Sequence, residues 1–340
     1  MYDKDESIPK VTFYYRKPRA VANYSVEFIF KDVAQRLKNI ISSRSAISRY
    51  ESKGLFKRIY NTIEAVFRQG DVNHITGDVH FVGILLAKRK TIQTILDCGQ
   101  LKVTTGIKHS ILKYFWFELP ISRCRFVTAI STATKEEILR YIHCDPDKIF
   151  VIPVAISEAF TKSLRTFNKA YPRILQIGTA PNKNIPRLIE AIQGIPCKLV
   201  IVGKYNDDYG KKLKEMGIDF QYLSGISDKE MRQLYIESDI VTLPSTYEGF
   251  GMPILEAQAT GRAVLTANVT SMPEVAGDAA CLVNPYDTQE IRNGILRIIS
   301  DDSYRDELIL KGFENVKRFN AEKIAFEYYD LYRRILSKSN

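Results

Sequence analysis

Five cysteines in 340 residues are too few and too scattered for a covalent frame. Cys98, Cys124, Cys144, Cys197 and Cys281 are odd in number and widely spaced, and no CxxC pair occurs. Neither a disulfide scaffold nor a zinc site is expected, and the thiols read as reduced and cytosolic. No run of about 18 apolar residues is present, which argues against a membrane-crossing helix. The opening MYDKDESIPK is polar and acidic with no apolar core segment, so no signal peptide is expected. Repeats and low-complexity tracts are absent. Acidic residues are short in one half only. Residues 1–155 hold 25 Lys+Arg against 15 Asp+Glu, and the remainder holds 24 against 24, so the whole net charge of +10 sits in the first half.

What is present describes a globular chain. Hydrophobic content of 45% and charged content of 26% are ordinary for a water-soluble fold, and the length suits two domains. Residues 31–60 carry eight basic side chains (Lys31, Arg36, Lys38, Arg44, Arg49, Lys53, Lys57, Arg58) against Asp32 and Glu51. Leu37, Ile40, Ile41, Ile47, Leu55, Phe56 and Ile59 interleave with them. A basic amphipathic segment of this kind suits an anionic membrane surface; a solvated basic face is the other reading. Nucleic acid is not expected as a partner, because no nucleic-acid motif accompanies the charge.

Short β-rich runs alternate with helical periodicity throughout. In the first half, strands are expected at 11–15, 72–76, 91–97, 126–131 and 149–154, and helices at 24–41, 55–68, 107–117 and 135–143. Thr134 with Glu137 forms a capping-box pattern. In the second half, strands are expected at 173–177, 197–202, 220–223, 240–243, 263–266 and 280–283. Helices are expected at 185–193, 209–216, 227–237, 252–259, 288–299 and 321–336. Ser227 with Glu230 is a second capping box. Such alternation predicts two parallel α/β sheets, joined by the polar, proline-bearing segment 153–172.

The densest signal is Glu248-Gly-Phe-Gly-Met-Pro-Ile-Leu-Glu256. It follows an apolar strand and runs through a glycine loop into a helix with Pro253 in its first turn and Gly261 past its end. A strand–loop–helix of this form aims backbone N–H groups and a helix dipole at an anion, typically phosphate. Glu256 lies one turn into the helix, placed to accept hydroxyl hydrogen bonds. The pairs Asp207-Asp208 and Asp301-Asp302 read as helix or turn starts rather than metal ligands.

Around this motif stand Ile177-Gly-Thr179, Asn182-Lys-Asn184, Val202-Gly203, Ser271-Met-Pro-Glu274 and Leu282-Val-Asn-Pro285. The first half adds His74-Ile-Thr-Gly-Asp78, Ala129-Ile-Ser-Thr132 and Val151-Ile-Pro153. On these residues the chain resembles the retaining glycosyltransferases of family 4. The resemblance implies an α/β GT-B fold: two Rossmann-like, doubly wound parallel-sheet domains facing a cleft, with a C-terminal helix returning to the N-domain. Residues 1–157 would be the acceptor domain, 158–320 the nucleotide-sugar domain, and 321–340 a helix packing across the junction.

The implied reaction moves a hexose from a nucleotide-diphosphate sugar, with a lean to GDP-mannose or a UDP-sugar, to a glycan or lipid-linked acceptor in surface polysaccharide synthesis. Configuration is retained, and no metal or cofactor is expected. The setting would be cytoplasmic, peripheral to the inner face of the plasma membrane. The resemblance carries roles to individual residues. Glu256 would take the ribose hydroxyls, Glu248 would face the transferred sugar, and His74 would join it as a catalytic group. Gly249, Phe250 and Gly251 would offer backbone N–H groups, Lys183 would neutralise the diphosphate, Gly178 would let the backbone approach it, and Ser271 would hydrogen-bond phosphate.

Three positions depart from the family pattern. Leu96 stands where relatives place a histidine before the aspartate, here Asp97. Asn182 replaces an arginine. Arg16-Lys-Pro-Arg-Ala20 replaces a glycine pair, with Arg19 a candidate for phosphate or acceptor. Leu96 also supports an alternative, a non-catalytic GT-B protein that binds nucleotide-sugar or supports a partner enzyme.

Overall fold

The computed structural model describes residues 8–18 and 25–337, with side chains of the first helix described from residue 28. Arg19 therefore lies outside the described residues. The chain divides into two compact units. One is Met1–Ala155 with Ala321–Asn340, and the other is Ile156–Asn320.

The first unit is built on six parallel strands: β1 (Lys10–Tyr15), β2 (Ser42–Ile47), β3 (Val72–Ile75), β4 (Thr91–Ile95), β5 (Phe126–Ala129) and β6 (Ile149–Val151), in the order β2-β1-β3-β4-β5-β6. β3 and β4 are buried at every position, as strands covered by helices on both faces must be. The helices are α1 (Ser25–Arg36), α2 (Leu55–Val66), α3 (Gly99–Val103), α4 (Gly106–Leu112), α5 (Leu119–Ser122) and α6 (Thr132–Tyr141). The helix expected over 107–117 is interrupted, because a π-helical stretch, Lys113–Glu118, joins α4 to α5.

Three local expectations need correction. Ser131 caps α6, accepting the Thr134 amide at 3.1 Å, so the box proposed for Thr134 lies one turn inside the helix. The helix expected over 24–41 stops at Arg36. Finally, 31–60 is not one amphipathic element, since β2 cuts through it. Five of the six β2 side chains are exposed, so it has no alternating apolar pattern to read. Its pairing with β1 defines it, and Arg44 on this open edge discourages pairing with another chain.

The C-terminal helix, Ala321–Leu336, packs on this first unit, against α1 and β3. Its buried residues Ile324, Ala325, Tyr328, Leu331, Tyr332 and Ile335 recur at helical spacing and form one apolar stripe.

The second unit repeats the plan with β7 (Arg173–Ile177), β8 (Lys198–Val202), β9 (Asp219–Leu223), β10 (Ile240–Leu243), β11 (Ala263–Ala267) and β12 (Cys281–Val283), all parallel in the order β12-β11-β10-β7-β8-β9. Numbered within the unit, this is the 3-2-1-4-5-6 order of dinucleotide-binding sheets. The helices are α7 (Ile185–Ile192), α8 (Asp207–Glu215), α9 (Asp228–Glu237), α10 (Met252–Thr260), α11 (Met272–Ala276), α12 (Thr288–Ser300) and α13 (Asp302–Asn315). The expected box at α9 is complete: Ser227 Oγ accepts the Glu230 amide at 3.3 Å, and Glu230 Oε2 accepts the Ser227 amide at 2.7 Å. α13 had no sequence expectation. Asp301 caps it through the Tyr304 amide, while Asp207 and Asp208 open α8. Both aspartate pairs thus serve helix starts.

The order of strands locates the ligand-binding edge by a simple rule. Ligands of open parallel sheets bind beyond the carboxyl ends of the strands, where the chain reverses its direction of winding. In the second unit that point falls between the neighbours β7 and β10.

Candidate functional site

Gly178 directly follows β7, and the Glu248 loop follows β10, so the sequence motif stands at the switch point. Gly178 has φ +89°, and a Cβ built there would lie 2.7 Å from Lys183 Cε. The expected reason for this glycine was close approach to phosphate. In the structure the space is filled by the stem of Lys183, which crosses the glycine to reach Glu248. Lys183 Nζ donates to Glu248 Oε1 at 2.6 Å, with the two side chains 17% and 13% exposed. A pair this withdrawn from water is costly to break on one side only.

The loop after β7 is stitched to the loop after β10. The Asn182 side-chain amide donates to Tyr247 O at 2.8 Å, and the Thr246 amide donates to Asn182 O at 2.8 Å. Asn182 therefore joins two loops at the position where the family resemblance implies an arginine. Asn184 is buried at φ 57°, a conformation asparagine tolerates better than most residues. Its amide donates to Pro244 O at 2.9 Å and Pro285 O at 2.6 Å. These bonds hold Lys183 between two fixed points.

The glycine loop is pinned from beneath. Ser271 is fully buried, and its hydroxyl is 3.0 Å from Glu248 O and 2.8 Å from Phe250 O. The Glu248 amide donates to Thr270 Oγ1 at 3.3 Å. Ser271 was expected to meet phosphate, but the structure gives it to the loop backbone instead, because its side chain lies on the buried side of the turn. Phe250 is an apolar anchor, 6% exposed with its ring edge-on to Phe319. Gly251 takes φ 107° at the start of α10, whose first turn no side chain caps, and Gly261 closes the helix at φ 82°. Pro253 falls in the first turn as expected.

Glu256 projects from the second turn of α10. Tyr235 on α9, fully buried, donates its hydroxyl to Glu256 Oε2. Burial pushes the Glu256 carboxyl up to about 7. The Tyr235 hydrogen bond opposes that rise, the Asp228 charge adds to it, and the Lys183 charge opposes it. Tyr235 has its own ionisation pushed far up by burial and by the neighbouring carboxylate. It is therefore a permanent donor, and it orients one carboxylate oxygen.

Tyr235 was invisible in the sequence. Leu234-Tyr235 reads as one core turn of a helix, and although a buried tyrosine hydroxyl needs a partner, the partner stands 21 residues away.

His74 does not join this group. It is fully buried in β3 of the first unit. One ring nitrogen meets Tyr332 Oη at 2.7 Å and the other meets Thr94 Oγ1 at 2.8 Å. The rings of Phe30 and Tyr328 flank it at 4.6 and 5.3 Å. Burial lowers its pKa to about 3, so it stays neutral. The catalytic role expected for His74 is replaced by a structural one, in which it ties the C-terminal helix to β3 and β4. His80 is also buried, with Nδ1 2.9 Å from Trp116 O.

Among the described residues, no group of three or more His, Cys, Asp or Glu is placed to hold a metal ion. The described cysteines are all unpaired thiols, four of them buried, in keeping with the absence of a disulfide frame.

Known proteins share both pattern and fold. The chain is 31% identical, over 63% of its length, to O-antigen chain mannosyltransferase B of Escherichia coli and spans 61% of that relative. It is 26% identical to serotype-specific mannosyltransferase WbdA of Escherichia coli, spanning 30% of that longer protein. Among solved structures, Anabaena Alr3699/HepE in complex with UDP-glucose superposes with a TM-score of 0.78 at 16% identity, over 96% of this chain and all of the other. The fold of this chain is accordingly GT-B. Residues 159–314, nearly the whole second unit, match the family model described as glycosyl transferases group 1, and the chain spans about three fifths or less of the length of these two curated relatives.

Proposed function

We propose that the chain transfers a hexose, with mannose favoured, from a nucleotide-diphosphate sugar to a glycan or lipid-linked acceptor in surface polysaccharide synthesis. One observation carries the reading. The Lys183–Glu248 pair and the Tyr235-held Glu256 converge at the switch point of a sheet with nucleotide-binding order. The mannosyltransferase relatives support the sugar.

In this reading the ribose hydroxyls donate to Glu256, and its ionised form is the better acceptor. The incoming diphosphate draws Lys183 away from Glu248. Lys183 and the uncapped start of α10 then stabilise the charge that develops on the leaving diphosphate, which is electrostatic catalysis. Glu248, released from its lysine, meets the hydroxyls of the transferred sugar. No metal is assigned a part, and transfer should persist in a chelator.

The partner surface would be an anionic membrane. Lys53, Lys57, Arg58 and Lys108 lie among exposed apolar side chains of α2 and α4, including Phe56 at 86% and Ile107 at 80% exposed. Among the described residues no helix is long and apolar enough to cross a membrane, so contact would be at the surface.

The deciding experiment is thermal shift against GDP-mannose and UDP-, ADP- and dTDP-sugars, followed by product analysis. A donor at about 100 times its Kd adds about 2.7 kcal/mol of stability. A flat response to all of them would refute the reading. Leu96 favours a second reading, a nucleotide-sugar-binding protein without turnover. That one wins if a donor binds, no acceptor is glycosylated, and Leu96→His restores transfer.

A further inference from the structure

The first unit holds a cavity of about 850 Å³. It lies beyond the carboxyl ends of β3 and β4: Leu96 and Asp97 follow β4 directly, and Asp78 stands three residues after β3. This is the edge where parallel sheets take their ligands, and the size suits one. Its chemistry is unusual for a sugar site. Twelve of its twenty lining side chains are aliphatic or aromatic, among them Leu55, Ile59, Leu96, Ile111, Phe115 and Trp116. A saccharide needs many polar partners for its hydroxyls, and these side chains offer almost none.

The polar groups present are largely turned to their own surroundings. Asp78 binds Arg16 at 2.6 Å, and Asp97 Oδ1 accepts the Gly99 amide at 2.8 Å. Arg58 donates to Ser52 O and lies 4.3 Å above the Trp116 ring. Arg58 and Lys108 give the lining its positive charge. The cavity adjoins the strongly exposed Leu55 and Ile111, 67% and 55% accessible, so an apolar chain could enter without crossing a polar rim.

We propose that this cavity receives the aliphatic chain of a lipid phosphate that carries the acceptor glycan, with Arg58 and Lys108 beside the phosphate. Leu96 is then a specificity residue. It completes an apolar wall where a histidine would favour sugar hydroxyls. The identity of the carrier rests on the glycosyltransferase reading, whereas chain binding does not.

Trp116 is the single tryptophan of the chain, and its indole lines the cavity, so intrinsic fluorescence reports occupancy directly. The full-length protein would be titrated, below micelle formation, with isopentenyl, geranyl and farnesyl monophosphate. Methyl α-mannoside and a lysophosphatidylglycerol would be titrated in parallel. Each buried methylene tightens binding about fourfold, so each added isoprene unit should gain at least about tenfold until the cavity is full. Ile111→Asp, at an exposed position that tolerates charge, should weaken farnesyl phosphate at least about tenfold and leave the thermal shift by nucleotide-sugar unchanged. Leu96→His should weaken it in the same direction.

The proposal is overturned if affinity does not rise with chain length, if Ile111→Asp binds as well as the parent, or if the mannoside alone moves the fluorescence. Lysophosphatidylglycerol binding as tightly as farnesyl phosphate would also overturn it, making the occupant a bulk membrane lipid. Chain binding with no response to any nucleotide-sugar would leave the cavity standing and sink the glycosyltransferase reading instead.

Discussion

The two units start from the same plan, six parallel strands wrapped by helices, and put contrasting chemistry at the carboxyl ends. In the second unit, the groups beyond β7 and β10 are polar and bonded to one another: lysine to glutamate, tyrosine to glutamate, asparagine to carbonyls. In the first, the groups beyond β3 and β4 are mostly aliphatic and aromatic, while its polar residues sink into the sheet interior as the His74–Thr94–Tyr332 chain. Net charge divides the same way, with the basic excess confined to residues 1–155. The contrast teaches that a parallel sheet fixes the edge where a ligand can bind, while the side chains after each strand choose what kind of ligand it is.

The largest effect should come from Lys183→Ala. It strands a half-buried Glu248 carboxylate and removes the charge assigned to the diphosphate. Turnover should fall on the order of 10²–10³-fold in a sugar-transfer assay with saturating donor. Activity within tenfold of the parent would remove the second unit's site from the mechanism.

His74→Phe tests the other side of the contrast. It leaves the buried Tyr332 hydroxyl without its histidine, while Thr94 keeps Thr128 Oγ1 at 2.7 Å, and should cost about 1–3 kcal/mol in urea denaturation. Turnover at a temperature where the variant is folded should stay near the parent value. Loss of turnover without loss of stability would return His74 to the active site.

Glu256 gives a pH signature. Its folded pKa of about 7 lies above the ordinary 4.5, so the native state holds its proton more tightly than the unfolded one. The carboxyl therefore lowers stability as pH rises from about 4.5 to 7, by roughly 3 kcal/mol, and the contribution is flat above. Glu256→Gln should remove this slope from the pH dependence of the unfolding free energy. Tyr235→Phe removes the hydrogen bond that opposes the rise, so the pH at which donor affinity increases should move upward. A profile that stays in place would deny Tyr235 its positioning role.

The smallest expected effect is electrostatic. Lys53→Ser with Lys57→Ser should weaken binding to phosphatidylglycerol vesicles by about thirtyfold at low salt, at about 1 kcal/mol per lysine. Binding to zwitterionic vesicles should not respond. Equal loss on both would mean that charge plays no part.

The fold was largely legible from the sequence because parallel α/β proteins announce themselves through apolar runs and capping residues. Ser227 with Glu230 and Pro253 with Gly261 marked helix ends that the structure shares. Elements without such a local signature escaped. β2 has five exposed side chains, and α13 carries little apolar periodicity. Within the site, the loop glycines, Lys183 and both glutamates were readable as a constellation on strand–loop–helix geometry. Ser271 and His74 were misjudged, since a serine in a phosphate-type loop and a histidine at a strand end look alike whether they face solvent or the core.

The sequence by itself determined the class of fold and the strand–loop–helix motif that ends in Glu256, because these depend on periodicity and on residues close together along the chain. Tertiary structure decided which polar atoms meet. It gave Tyr235 to Glu256, Ser271 to the Glu248 loop, His74 to the C-terminal helix, and an apolar wall to the edge where Leu96 stands. The physical reason is range. Hydrophobic periodicity is local, whereas the burial and hydrogen bonding that set a side chain's charge and availability come from partners tens to hundreds of residues away.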